Sequence, residues 1–134
     1  MKVLTAARMG LVTLLLASAP LLAHHSFAMV DKTQELLLQG SVKEWQWTNP
    51  HSFLVIEVAD SSGPVEWQFE TYPPGALARA GVTRLSFKPG DKVKVNYFLD
   101  RSKPNFGALN SVTMQDGSEI SMKKVVKGGT VHKD

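Results

Sequence analysis

Apolar and polar side chains alternate along several short segments of this sequence. In VEWQFE, at residues 65–70, every second side chain is apolar and the positions between are polar or charged. At residues 54–58 and 93–99 apolar residues again fall at alternate positions, namely Leu54, Ile56 and Val58, and Val93, Val95, Tyr97 and Leu99. Period-two alternation places successive side chains on opposite faces of a strand. The chain is therefore predicted to be all-β, with half-buried antiparallel strands on which Glu66 and Glu70 face solvent.

Turn signals and one helix signal set the order of the elements. Clusters of Asp, Ser, Pro and Gly at residues 60–63, 88–91 and 115–118 predict turns, and PPGALARAG at 73–81 predicts one short helix. Three strands, a helix, one long strand and one split strand form the order of the OB-fold, a five-stranded, partly open barrel. A small open β-sandwich is the alternative, and it would bury the same faces.

The first strand, at residues 33–47, is predicted to bend or bulge near Gly40. Its apolar positions change from even to odd numbers beyond that glycine. They are Leu36, Leu38 and Val42, followed by Trp45 and Trp47. A change of parity at a glycine is typical of a β-bulge or a sharp bend, so this strand is expected to be long but interrupted.

The first residues have the form of a secretory signal peptide. Lys2 and Arg8 precede an uncharged stretch of 15 residues, whereas a helix that crosses a bilayer needs about 20. A basic start, a short apolar middle and a small last residue predict cleavage after Ala23 and a periplasmic protein with no stable membrane span. Cleavage after Ala19 and an uncleaved anchor are the alternatives.

Cleavage also removes much of the apparent basic charge. It takes away Lys2 and Arg8, so the count of Lys and Arg falls by two, from 15 to 13, against 12 Asp and Glu. A net charge near +1 gives little attraction to a polyanion, so nucleic acid is not an expected partner. The expected parts are a signal peptide at 1–23, an OB-like barrel domain at 24–122 and a flexible basic tail at 123–134.

The sequence contains no recognised catalytic motif. It has no nucleophile elbow, no phosphate-binding loop and no two-histidine helix motif. The lack of cysteine excludes disulfides, thiolate metal sites and cysteine nucleophiles. Ser26 and Ser52 each follow a histidine, but a catalytic triad is defined by spatial roles and not by adjacency. We therefore expect a binding protein and not an enzyme.

Three histidines are the candidate metal ligands. After cleavage His24 becomes the first residue, and its amine, with a pKa of about 7.7–8.0, can chelate one ion together with its ring nitrogen. A third nitrogen from His51 or His25 would complete the set that Cu(II) favours. The first two histidines could instead be a solvated chain end, and His51 a structural residue bonded to a turn. Zinc fits less well because it prefers four ligands, although Asp31 or Glu57 could add an oxygen.

Aromatic residues offer a second kind of site. Trp47, Asn49 and Phe53 flank the loop between the first two strands, where OB-folds bind oligonucleotides or sugars, and residues 103–106 fall in a second such loop. These rings could bind a small molecule, a glycan or a protein partner without any metal, or they could fill the barrel. The rings expected in the core are those of Trp67, Phe69 and Tyr97. An accessory subunit with no small ligand is a third possibility.

Several short motifs occur together in this chain. They are HHSFA at residues 24–28, GSV at 40–42, WTNPHS at 47–52, LARAG at 77–81 and KPGD at 88–91. Together they resemble a family of small exported bacterial proteins defined only as a domain of unknown function. The resemblance spans about residues 21–122, and the two histidine motifs are its most specific part. It implies periplasmic placement and a β-rich fold, and it carries no activity.

Overall fold

The computed structural model describes residues 29–126, which form six strands and two short helices. The elements are β1 Val30–Gln46, β2 Phe53–Asp60, β3 Gly63–Glu70, α1 Pro74–Arg79, β4 Lys92–Asp100, β5 Phe106–Met114, β6 Glu119–Ser121 and α2 Met122–Val126. The predicted signal peptide, His24 and His25 lie outside the described residues. Of the predicted basic tail, residues 123–126 belong to α2 and the rest also lies outside.

Five of the strands close into a barrel. The sheet runs in the order β3-β2-β1-β4-β5-β6, with antiparallel neighbours, and an additional parallel pairing joins β3 to β5. This parallel seam is short, and its pairs are Gln68 with Phe106, Phe69 with Gly107 and Glu70 with Ala108. The strand order and the helix between β3 and β4 are those of the OB-fold, so the predicted all-β, OB-like barrel is confirmed. Strand β6 extends the sheet beyond the closed ring.

Strand β1 is shared between two partners. Its residues from Glu35 to Ser41 pair with β4, and those from Ser41 to Gln46 pair with β2. The predicted irregularity is present, but the β-bulge in the pairing with β2 lies between Val42 and Glu44 and not at Gly40. Gly40 has a different role, because a Cβ atom there would meet the backbone carbonyl of Glu57. The glycine permits the close approach of β1 to β2.

The inner face of the barrel forms one apolar core. Phe69 and Tyr97, both expected inside, are 0% and 4% exposed, and their ring centroids lie 5.0 Å apart. Trp67 packs partly buried against them, with its ring centroid 5.5 Å from that of Tyr97. The alternating sequence pattern therefore identified the core face of β3 and β4.

The two short helices each contribute one buried side chain. α1 begins with Pro74 at its first turn, where a missing N–H costs nothing, and buries Leu77 completely. α2 buries Met122, whose sulfur accepts a hydrogen bond from the hydroxyl of Thr71 at 3.1 Å. Within residues 29–126, neither helix has the length and apolar character needed to cross a membrane.

The close approach at Gly40 is testable by adding one methyl group. We expect Gly40→Ala to lower the free energy of unfolding by about 1–3 kcal/mol, because the added Cβ meets backbone that cannot move away easily. Gly75→Ala in α1 is the matched control, since its Cβ would come no nearer than 3.7 Å to the Arg79 side chain. That change removes a glycine helix penalty of up to about 1 kcal/mol. Urea unfolding of both variants measures the difference, and equal stabilities would contradict the expectation.

Candidate functional site

His51 is held by hydrogen bonds that continue the pairing of β2 with β3 past the strand ends. The amide of Ser52 donates to the carbonyl of Tyr72 at 3.2 Å, and the amide of Thr71 donates to the carbonyl of Ser52 at 2.9 Å. The Thr48 hydroxyl donates to the His51 carbonyl at 2.8 Å. The backbone that carries the imidazole is therefore fixed, although it precedes the strand and follows the cis Asn49–Pro50 peptide bond.

The imidazole of His51 contacts a buried carboxylate. Its Nδ1 atom pairs with Oε1 of Glu70, whose side chain is 4% exposed against 25% for that of His51. A buried carboxylate needs a charged or hydrogen-bonding partner, and His51 supplies one. In a neutral ring that donates through Nδ1–H, the lone pair resides on Nε2. The pairing thus orients the ring and leaves Nε2 as the ring nitrogen that does not contact Glu70.

The expectation that Glu66 and Glu70 both face solvent was correct for Glu66 and wrong for Glu70. The Glu66 side chain is 55% exposed and pairs with Lys43. Glu70 lies at the end of the same strand, between Phe53 on β2 and Ala108 on β5, and is buried there. Alternation correctly placed Glu66 and Glu70 on the outer face of β3. Glu70 is buried nevertheless, because the parallel seam with β5 and the imidazole of His51 cover it.

Asp31 and Glu57, the two carboxylates considered as possible oxygen ligands, each have a basic side chain as a neighbour. Asp31 accepts hydrogen bonds from Thr33 and from Arg101, the latter at 2.7 Å, and those bonds lower the pKa of Asp31. Glu57 lies six residues beyond His51 on β2, about 20 Å along an extended strand, and its carboxylate is 3.9 Å from Lys43. The structure therefore does not bring Glu57 to His51. Among residues 29–126, no three His, Asp or Glu side chains form a metal cluster.

The aromatic residues of the first loop separate into two groups. Trp47 is partly buried, packs against the core and lies edge-on to Trp45 at 5.6 Å between centroids. Phe53 instead lies on the outer face, 6.4 Å from the ring of Phe106. Asn49 is exposed in the bend. The structure thus brings Phe53 to the second loop, and it does not join Trp47 to Phe53 in one stacking platform.

Two surface cavities flank this region. A side pocket of about 330 Å³ lies between β1, β3 and the loop before β5. Its lining includes Gln46, Trp67, Gln68, Asn105 and Phe106. The two glutamine side chains lie 3.4 Å apart within it. The sequence did not indicate that Gln46 and Gln68 meet, because they lie on the outer faces of two different strands.

The second cavity, which we call the outer groove, has a volume of about 360 Å³. Its mainly apolar lining includes Val30, Tyr72, Phe98, Ala108, Met122 and Val126. Burial raises the pKa of the Tyr72 hydroxyl. Tyr72 follows Glu70 by two residues, so the outer groove adjoins the pair of His51 and Glu70. Sequence reasoning missed the groove because its lining comes from five separate elements or their flanks.

Comparison with known proteins identifies a family and nothing further. No curated protein and no solved structure matches the chain. The model of one family of unknown function, DUF6152, matches residues 12–109, a range that contains His24, His25 and His51. This range covers well over half of the sequence and most of the barrel. The chain therefore belongs to DUF6152.

Proposed function

We propose that this chain is an exported, periplasmic copper-binding protein and not an enzyme. The signal peptide is cleaved after Ala23, and the new amine and ring nitrogen of His24 bind one copper ion together with Nε2 of His51. His25 is a further ligand or a hydrogen-bonding partner of the site. The pairing of His51 with the buried carboxylate of Glu70 is the observation that carries the proposal.

A histidine that binds a metal almost always donates its other ring N–H to a carboxylate, a carbonyl or water. That bond fixes the tautomer and raises the basicity of the binding nitrogen. Glu70 is placed to do this for His51, since its carboxylate contacts Nδ1 and is nearly excluded from solvent. His51 therefore already has the kind of partner that orients a metal-binding imidazole.

The chain before β1 is long enough to bring His24 to His51. Passing round the barrel from β1 through β4, β5 and β3 to β2 crosses four interstrand spacings of about 4.8 Å, about 19 Å in all. Six residues separate His24 from Val30 and span about 20 Å when extended. Val30 also lines the outer groove, which adjoins the pair of His51 and Glu70. The extended segment is therefore just long enough to cover the distance around the barrel.

The proposal is tested by blocking the terminal amine. Mature protein that begins at His24 is compared with protein that carries one additional residue before it. At a free Cu(II) concentration 100 times the dissociation constant, binding should stabilise the first by about 2.7 kcal/mol. The blocked protein should lose most of this gain, because its first amine is displaced from the ring that forms the chelate. Thermal unfolding with and without Cu(II) measures both, and equal shifts would refute the site.

The role of Glu70 gives a second prediction. We expect Glu70→Gln to weaken Cu(II) binding by about 10–100-fold, the usual effect of removing a partner that orients a metal-binding histidine. Glu66→Gln is the matched control, because it makes the same change on the same strand at a side chain that is 55% exposed. Isothermal titration calorimetry on both variants, with unfolding curves recorded without metal, separates affinity from stability. Equal affinities for the two variants would contradict the assigned role.

One observation favours a metal-free alternative, the binding of a glycan or small molecule on the outer face. The side pocket combines amide side chains with aromatic carbon from Trp67 and Phe106, and polar groups beside a ring suit sugars. Phe53 lies at its margin through its contact with Phe106. Titration of a glycan panel while following tryptophan emission tests this alternative, since Trp67 lines the pocket. Gln68→Ala should abolish any response that arises there.

A further inference from the structure

The outer groove has a small floor and two aromatic walls. Ala108 is 8% exposed and lies on β5, next to Phe98 of β4 in the sheet. On its other side Ala108 pairs with Glu70, and Tyr72 follows two residues later. Both Phe98 and Tyr72 line the groove together with Ala108. A methyl group between two rings leaves a slot of the kind that a further apolar side chain fills.

The start of β1 lies at the groove and identifies the nearest segment that could occupy it. Val30, the first residue of β1, itself lines the groove, so the chain that precedes it begins at the groove wall. This starting point is anchored, because Asp31 accepts hydrogen bonds from Arg101 and from the Thr33 amide. Between Val30 and Glu35 the register with β4 is irregular, so the start of β1 is not held by a regular ladder. The polar anchor therefore holds the first residues of β1 at the groove wall.

The spacing along that segment matches the spacing of the strands. Phe27 lies three residues before Val30, a distance of about 10 Å in extended chain. Two interstrand spacings, from β1 across β4 to β5, also amount to about 10 Å. An extended segment that crosses the groove therefore brings Phe27 over β5, where Ala108 lies. We propose that residues 24–28 occupy the outer groove, with the ring of Phe27 seated on Ala108 between Phe98 and Tyr72.

This inference deepens the proposed function, because a seated Phe27 would fix the path that carries His24 to His51. It does not require a metal, and it can hold or fail separately. The neighbours of Phe27 fit the slot, since Ser26 and Ala28 are small and allow close approach on both sides. Lys32 and Lys123 line the groove as well, and both are long enough to keep their ammonium groups in water.

An engineered disulfide tests the seat directly, because the natural chain has no cysteine. Mature protein carrying Phe27→Cys and Ala108→Cys is oxidised with glutathione disulfide in the presence of EDTA. Two cysteines bridge readily only when their Cα atoms lie within about 7 Å. We expect an intramolecular disulfide to form about tenfold faster than in the control pair Phe27→Cys and Leu85→Cys, whose second position is 77% exposed in another loop. Mass spectrometry after alkylation measures the yield.

Equal rates for the two pairs would overturn the inference, and so would a disulfide that links two molecules through the same pair, since a second copy would then occupy the groove. Phe27→Ala provides a test that leaves the groove unchanged. Removal of the Phe27 ring should expose the Tyr72 hydroxyl further and lower its pKa, which burial raises, whereas the pKa of Tyr97, the other tyrosine, should not change. Carbon-13 tyrosine titration reads both, and an unchanged Tyr72 would refute the seat.

Copper titration of the cysteine-free protein separates the two proposals. An intramolecular disulfide between residues 27 and 108 in EDTA supports the groove assignment even where Cu(II) fails to stabilise the unmodified protein, and that failure removes the copper site alone. Tight Cu(II) binding by the cysteine-free protein, together with a 27–108 cysteine pair that reacts no faster than the control pair, removes the groove assignment alone.

Discussion

Strand β1 serves two neighbours, and the closure of the barrel depends on how it does so. Its first half pairs with β4 along one edge and its second half pairs with β2 along the other edge, so one continuous strand joins the two neighbours. Gly40 permits the contact with the Glu57 carbonyl, and the bulge between Val42 and Glu44 then restores the inward direction of the apolar side chains. Because β1 pairs with both β2 and β4, it joins the two arms of the sheet whose strands β3 and β5 meet in the short parallel seam.

That seam also creates the surface on which the candidate site lies. It sets Ala108 beside Glu70, and the antiparallel pairing of β2 with β3 sets Phe53 on the other side. Between Phe53 and Ala108 the Glu70 side chain is shielded from solvent, and a buried carboxylate needs a hydrogen-bonding or charged partner. The imidazole of His51, two residues before the start of β2, is that partner. The same seam therefore closes the barrel and buries the Glu70 carboxylate, which pairs with the imidazole of His51.

Local pattern predicted those features of the fold that arise from neighbours in the chain. Alternation identified the strands and the core rings of Phe69 and Tyr97, and the turn residues supplied the order of elements from which the barrel followed. The burial of Glu70 could not be predicted in this way, since Glu66 shows the same alternation and remains exposed. The difference comes from β5, which is distant in sequence and arrives through a parallel pairing. For the same reason the histidine motif was recognisable, whereas its carboxylate partner was not.

The described chain begins and ends at the same place, because Val30 and Val126 both line the outer groove. The hairpin turns that follow β2 and β5 lie toward the far rim of the barrel. A tether, a tag or a second protein joined at Val30 or at Val126 would therefore start from the same side of the barrel. If the protein were attached to a surface through these two positions, the hairpin turns after β2 and β5 would face away from that surface.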